Sequence, residues 1–501
     1  GYLPHVEMET ILGVIVIAIA GIMLGLRIIK TKKVLHLPEQ AYASGETVNT
    51  TIELDSDLDF ANSLSLPLGA RPEKKCLMFS GTLNGNGYKI KGITMNNQES
   101  TDYKNAGLFC DINGATIKNL IIDSSCSFTG TEVGALSVTI SGFASITNVT
   151  NLANVSGTEN VGGFVGHITF LDNESNFVSF RDCSNEGSVQ GNELTGGYVG
   201  AILQNTNATI TFTNCTNDGV VSGDDYTGGL IGVFTNTDTK LLIQNCKNNA
   251  NITGDAHSGG FVGSIEDTTN CDINISTSTN FGDVPEGYII GGLIGSISEV
   301  KHMRVHISDC TNKGKIDGSN CVGGIIGRVD DNSNASINIF DSANSGVVNG
   351  NNNIGGIIGE IGDGVSQNVT ITSCTNNEAI TGKAKIAGFI GLLSSSASFP
   401  NETLLVRNSL NKGIVKSSDS FACGFFCIEK IGAAEMSYVI LNSANKGEVH
   451  AENQAYGITN IITKARNVVN MGKVSSYYET HCFWGVSTDA KLFYGLKYES
   501  Q

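Results

Sequence analysis

Short runs in which apolar and polar residues alternate recur along most of this chain. They read ATITF at 208–212, KLLIQ at 240–244, RVHIS at 304–308, SINIF at 336–340 and NVTIT at 368–372. Period-two alternation with β-branched residues predicts half-buried strands. Between the runs a second pattern, Gly-Gly-aromatic/aliphatic-Val/Ile-Gly, returns about every 32 residues. Its glycine pairs are Gly162-Gly163, Gly196-Gly197, Gly228-Gly229, Gly259-Gly260, Gly291-Gly292, Gly323-Gly324 and Gly355-Gly356, and it weakens at Ala387-Gly388. A third element follows each pair by about 22 residues, Cys/Ser-x-Asn-x-Gly. Its asparagines are Asn185, Asn217, Asn248, Asn280, Asn312, Asn344, Asn376, Asn411 and Asn445, and at Asn248 and Asn376 the glycine is replaced. Short strands such as 188–190 and 220–222 come after the asparagine turn.

A fixed period of this length marks a solenoid, whose units bury their apolar faces only against their neighbours. The predicted fold is all-β, a right-handed parallel β-helix of ~32-residue repeats with three strands and three turns per coil. Ten or so rungs at about 4.8 Å each would extend it to about 50 Å. Asparagine tolerates left-handed backbone angles and bonds its own turn. Stacked one rung apart, the asparagines would form a structural ladder rather than a ligand groove. The paired glycines suit a sharp bend or a close approach of the next coil. Six prolines in 501 residues agree with unbroken ladders, since proline donates no ladder bond.

The repeat resembles the GLUG motif of bacterial and protist surface proteins, found also in the repeat region of streptococcal IgA-cleaving metallopeptidases. The segment 80–92 (SGTLNGNGYKIKG), with 106–109 and 115–120 after it, is similar to the lead-in these β-helices share. The resemblance covers about residues 46–475. It implies a surface or adhesin-like protein and is more specific for fold than for function.

The ends differ from the middle. Residues 10–26 (TILGVIVIAIAGIMLGL) are uncharged and apolar, and Ile28-Ile29 extend them past Arg27. That is long enough to cross a bilayer core of about 30 Å as a helix. The organisation read from the chain is a stub at 1–9, a transmembrane helix at 10–29, a basic linker at 30–45 and an N-terminal cap with irregular coils at 46–145. Repeats at 146–475 and an aromatic C-terminal cap at 476–501 complete it. No basic n-region precedes the span and no Ala-x-Ala site follows, which favours an anchor over a cleaved signal. Arg27, Lys30, Lys32 and Lys33 behind the span would hold the repeats in the cytoplasm, whereas the repeat type belongs to exported proteins. Asn-x-Ser/Thr sequons are plentiful and permit an extracellular address. Asn214, beside the cysteine column, reads as a poor acceptor.

Thirteen cysteines change this picture little. Cys183, Cys215, Cys246, Cys310 and Cys374 share a repeat position with Ser278, Ser342, Ser409 and Ser443, so they read as small stacked fillers. Cys423 and Cys427 read as core. Near the N-terminal cap, Cys76–Cys110 and Cys110–Cys126 are both open as disulfides.

The net charge of −17 argues against nucleic acid, which needs a basic stripe. No carboxylates recur at one repeat position beside basic partners, as glycoside hydrolysis on a β-helix would require. His302-Met-Arg-Val-His306 lacks the glutamate of a zinc peptidase and reads as strand. No catalytic, cofactor or metal residue is therefore expected. The C-terminal stretch gathers Tyr477, Tyr478, Phe483, Trp484, Phe493 and Tyr494, expected to cap the open core or to form a partner patch. The expectation overall is a non-enzymatic, membrane-anchored surface protein, adhesin-like, binding a glycan or a protein of a host or cell surface. A polysaccharide-active enzyme and a membrane-tethered intracellular scaffold are the alternatives.

Overall fold

The computed structural model of the chain describes residues 47–481, apart from 71–75, 102, 171–175, 397–402, 432–436 and 461–463. The expected stub, membrane helix and linker lie outside the described residues, as do Phe483, Trp484, Phe493 and Tyr494. No helix occurs among the described residues. The chain divides into two units, Gly1–Gly223 with Leu230–Gly232, and Asp224–Gly229 with Val233–Gln501. Each is a parallel β-solenoid.

In the first unit Asn176–Arg181 pairs in parallel with Ala144–Asn151 on one side and Ala208–Thr213 on the other. In the second, Ser336–Phe340 lies between Arg304–Ser308 and Asn368–Thr372. Gly259 pairs with Gly291, Gly291 with Gly323 and Gly323 with Gly355. One repeat is therefore one coil.

Each coil contains more strands than the three expected. A coil of the second unit runs through a glycine strand (Asn320–Gly323), an aliphatic strand (Ile326–Asp330), a long strand (Ser336–Phe340), an asparagine strand (Ala343–Asn344) and a closing strand (Val348–Asn349). The long strand and the asparagine strand are separate because the backbone turns between them at a left-handed residue. That residue is Asp341, and its equivalents include Asn245, Thr277, Asp309 and Ser373, or Asp182 and Asn214 in the first unit. The left-handed site is thus three residues before the repeated asparagine, not at it. Short side chains that bond the local backbone tolerate this region. Asn214 sits there, exposed beside buried Cys215, with its Nδ2 donating to Asp182 Oδ1 at 2.8 Å.

The repeated asparagines are fully buried and stack as a ladder. In the first unit Asn151 Nδ2 donates to Asn185 Oδ1 and Asn185 Nδ2 to Asn217 Oδ1, each at 2.9 Å. In the second the chain of donations runs from Asn248 through Asn280, Asn312, Asn344, Asn376 and Asn411 to Asn445 and Asn470, at 2.7–2.9 Å. The same Nδ2 also reaches a carbonyl two residues on, as Asn312 does to Gly314 O at 2.9 Å. Both amide hydrogens are thereby used inside a dry core, where an unpaired one would cost about 1–3 kcal/mol.

The second glycine of each pair packs on this ladder. A Cβ on Gly324 would lie 2.2 Å from Gly356 O and 2.5 Å from Asn344 Cγ. Close approach, not an unusual backbone angle, demands glycine here. Around these columns the long strands turn alternate residues inward, so that Ile307, Ile339 and Ile371 stack in register. In the first unit Phe180 lies flat on Phe212 at 5.0 Å, and buried Tyr198 donates its hydroxyl to Cys183 O at 2.6 Å.

Cysteine and serine alternate at one position because both donate to the same place. Cys310 Sγ reaches Ser308 O at 3.2 Å, and Ser342 Oγ reaches Phe340 O at 2.6 Å. The serine hydroxyl also accepts from the preceding coil, as from Cys310 N at 3.1 Å. Of the two open disulfide pairings, the structure contains Cys76–Cys110, and Cys126 is a buried free thiol.

Replacing Asn312 by alanine removes one donor and one acceptor from the ladder and strands Asn280 Nδ2 and Asn344 Oδ1. Urea denaturation should register a loss of about 3 kcal/mol. Cys310→Ser, by contrast, keeps the donor and should stay within about 1 kcal/mol of the parent in the same assay.

Candidate functional site: a polar seam beside the glycine bend

The residues that repeat are inside and do not form a surface. Asn185, Asn217, Asn248, Asn280, Asn312, Asn344, Asn376, Asn411 and Asn445 are buried to the last atom. Of the expected aromatic patch, Tyr477 and Tyr478 are 81% and 72% exposed and meet edge to face at 4.8 Å.

Chemically active side chains gather elsewhere. The glycine bend turns the chain from the glycine strand into the aliphatic strand, and outward side chains of the two strands meet across it. In the second unit one column of the aliphatic strands is Ser264, Ser296, Arg328, Glu360 and Leu392, paired in register, of which the serines and Leu392 are buried and Arg328 and Glu360 reach the surface in part. Ser264 and Ser296 share a hydrogen bond of 2.7 Å, and Ser264 Oγ donates to Glu266 Oε2 at 3.1 Å. Arg328 is ion-paired with Asp330. Glu360 Oε2 accepts from Cys321 Sγ and Asn353 Nδ2, each at 2.8 Å, from the glycine strands. The Tyr226 ring lies parallel on the His257 imidazole at 4.9 Å.

Burial sets the electrostatics of this seam. It raises the Asp330 carboxyl to about 6 despite Arg328, and raises Glu266 as well. It also lowers His257, helped by Arg328, so that the imidazole is held neutral. Burial and then Glu360 push the Cys321 thiol up, which leaves it a poor nucleophile.

The first unit has a seam of its own. Asp111, Thr139 and His167 stand in one outward column. Glu132 Oε1 lies 3.5 Å from His167 Nδ1, and Thr139 Oγ1 lies 3.4 Å from His167 Nε2. The order is that of hydroxyl, base and acid, but both distances exceed the reach of proton transfer, about 2.6–3.2 Å. Asp111 accepts from Ser141 Oγ at 2.6 Å, and burial holds its carboxyl at about 6.

Among the described residues eight buried side-chain atoms have no hydrogen-bond partner, and five belong to these seams: Asp111 Oδ1, Asn160 Oδ1, His167 Nδ1, His257 Nδ1 and Arg328 Nε. Unpaired buried polar atoms are costly, and their concentration here marks the seams as the places not optimised for folding. Carboxylates do not recur at one repeat position beside basic partners here, but Arg328 singly interacts with Asp330 and Asp331 of its own coil and Glu360 of the next. The signal available in the sequence is the residue directly after the last glycine of the motif, which reads His167, Ala201, Val233, Ser264, Ser296, Arg328, Glu360 and Leu392.

No cluster of three His, Cys, Asp or Glu able to hold a metal occurs among the described residues. A cavity of about 10 Å³ lined by Ile361, Val369, Leu393, Leu404 and others has room for one water at most.

No protein-family model matches the chain, nor does any curated protein. Among solved structures, the chain is similar to a "putative immunoglobulin A1 protease from Bacteroides ovatus" at 15% identity and a TM-score of 0.34, over 54% of this chain and 71% of that one. A likeness this loose carries no function across.

The raised Asp111 carboxyl makes a pH prediction. Its folded pKa of about 6 exceeds an unfolded value of about 3.9, so between those values the native state holds more protons. Stability therefore falls as pH rises from 4 to 6, by about 3 kcal/mol for this group at full ionisation. Asp111→Asn should flatten that slope and raise the melting temperature at pH 7, measured by thermal denaturation across the range.

Proposed function

We propose that this chain is a non-enzymatic surface protein, anchored through residues 10–29, that binds partners with the outward side chains of its coils. One observation carries the reading. What repeats is buried and serves the stack, while what faces out differs from coil to coil, as Arg328 and Glu360 do in one column. A catalytic solenoid needs one well-placed constellation; a binding solenoid needs an unvarying frame with freely varied outer positions. The resemblance to the GLUG motif supports a surface location, and the uncharged span at 10–26 supports the anchor.

The polysaccharide-active alternative draws its support from Asp330 and Glu360 flanking Arg328 on adjoining coils. Asp330 is ion-paired and Glu360 accepts two hydrogen bonds, so both are committed to neighbours rather than poised around a scissile bond.

Protease treatment of intact cells carrying an epitope tag after Gln501 tests the location. Loss of the tag without permeabilisation is expected. Protection until the membrane is opened would reject the surface reading in favour of a tethered intracellular scaffold.

A further inference from the structure

We propose that the seam of the second unit, centred on Arg328 with Glu360, Asn353 and His257 around it, binds an uncharged glycan. The inference rests on the binding role proposed above and names its ligand class.

Three properties of the seam select that class. The first is the mixture of hydrogen-bonding groups. Guanidinium and carboxylate stand on successive coils, at a spacing of about 4.8 Å, which is comparable to one sugar ring. Arg328 only donates, Glu360 as a carboxylate only accepts, and the Asn353 amide does both. Vicinal hydroxyls of a sugar donate and accept at once and so match such a set, which an apolar ligand would cover without a hydrogen bond.

The second property is charge. Arg328 meets Asp330, Asp331 and Glu360, so a carboxylated, sulfated or phosphorylated ligand enters a field of its own sign. A cation in turn would have to displace the guanidinium from Asp330.

The third is the stacked pair Tyr226–His257. It is partly exposed and offers an apolar ring edge beside the polar row, suited to the C–H face of a pyranose. The unpaired Arg328 Nε and His257 Nδ1 belong to these same side chains. Turning either onto a ligand hydroxyl recovers a hydrogen bond that the free protein lacks.

The test uses the full chain in detergent on a panel of immobilised neutral, sialylated and sulfated oligosaccharides. Neutral glycans should be retained in preference to the acidic ones. Arg328→Gln and Glu360→Gln should each weaken that retention at least tenfold, while Asn274→Ala, on the outer face of a long strand, should leave it unchanged. If thermal melting shows that Arg328→Gln is unfolded, Tyr226→Ala, which removes a half-exposed ring, takes its place. Retention of acidic glycans alone, retention of none, or capture of a protein ligand instead would each overturn the proposal. Neutral-glycan binding indifferent to the seam variants would also sink it. These results leave the location measured on intact cells untouched, so the two readings fail separately.

Discussion

Every other feature of this protein follows from the contact between the second glycine of each motif and the asparagine amide of its own coil. Gly324 seats against Asn344, Gly356 against Asn376 and Gly292 against Asn312, at distances where a Cβ would lie 2.5–2.6 Å from the amide carbon. The contact crosses the interior of the coil. It is kept whether 19 residues separate the two, as Gly229 and Asn248, or 23, as Gly388 and Asn411, so the loops between strands absorb the difference and the contact does not move. The ladder then carries the constraint from coil to coil, because each amide needs the next as its partner.

With the bend and the amide fixed, the remaining inner positions have little choice. Cysteine and serine exchange freely because either one donates to the carbonyl two residues back, and isoleucine stacks on isoleucine because equal positions face each other at one rung's spacing. Outward positions carry no such requirement. The residue after the motif's last glycine is held in place by the bend on one side and by parallel pairing on both neighbours, yet its own side chain is not needed by the fold. Histidine, serine, arginine and glutamate all occur there. The fold thus provides a row of well-oriented positions whose chemistry is open.

This division also determines what was legible in the sequence. The strands, the one-repeat coil and the buried ladder show themselves because the same residues recur at the same phase. The backbone turn was misplaced for a related reason. Asn185 is constant and asparagine tolerates left-handed angles, but the left-handed residue is Asp182, whose equivalents Asn214, Asn245, Thr277 and Ser373 vary. Constancy reports packing, and several short residues tolerate the turn. The extra strands per coil follow from the same misplacement. The seam is harder to see still, since a site built from one residue per coil has no period in residue type. The Cys76–Cys110 pairing depends on how the first irregular coils meet, which the repeat does not describe.

The unpaired atoms of the seams bear on whether these outward rows are incidental. A surface free of function can exchange Arg328 or His257 for residues without a buried unpaired nitrogen, and nothing in the stack opposes the change. Their retention beside Asp330 and Glu360 costs stability in the free protein, as does Asp111, whose carboxyl is buried with one oxygen unpaired. Polar groups held at such a cost, in positions the fold leaves open, are not explained by the needs of the stack. The cost falls on a few coils in each unit, while the ladder and the glycine bend continue through them unchanged.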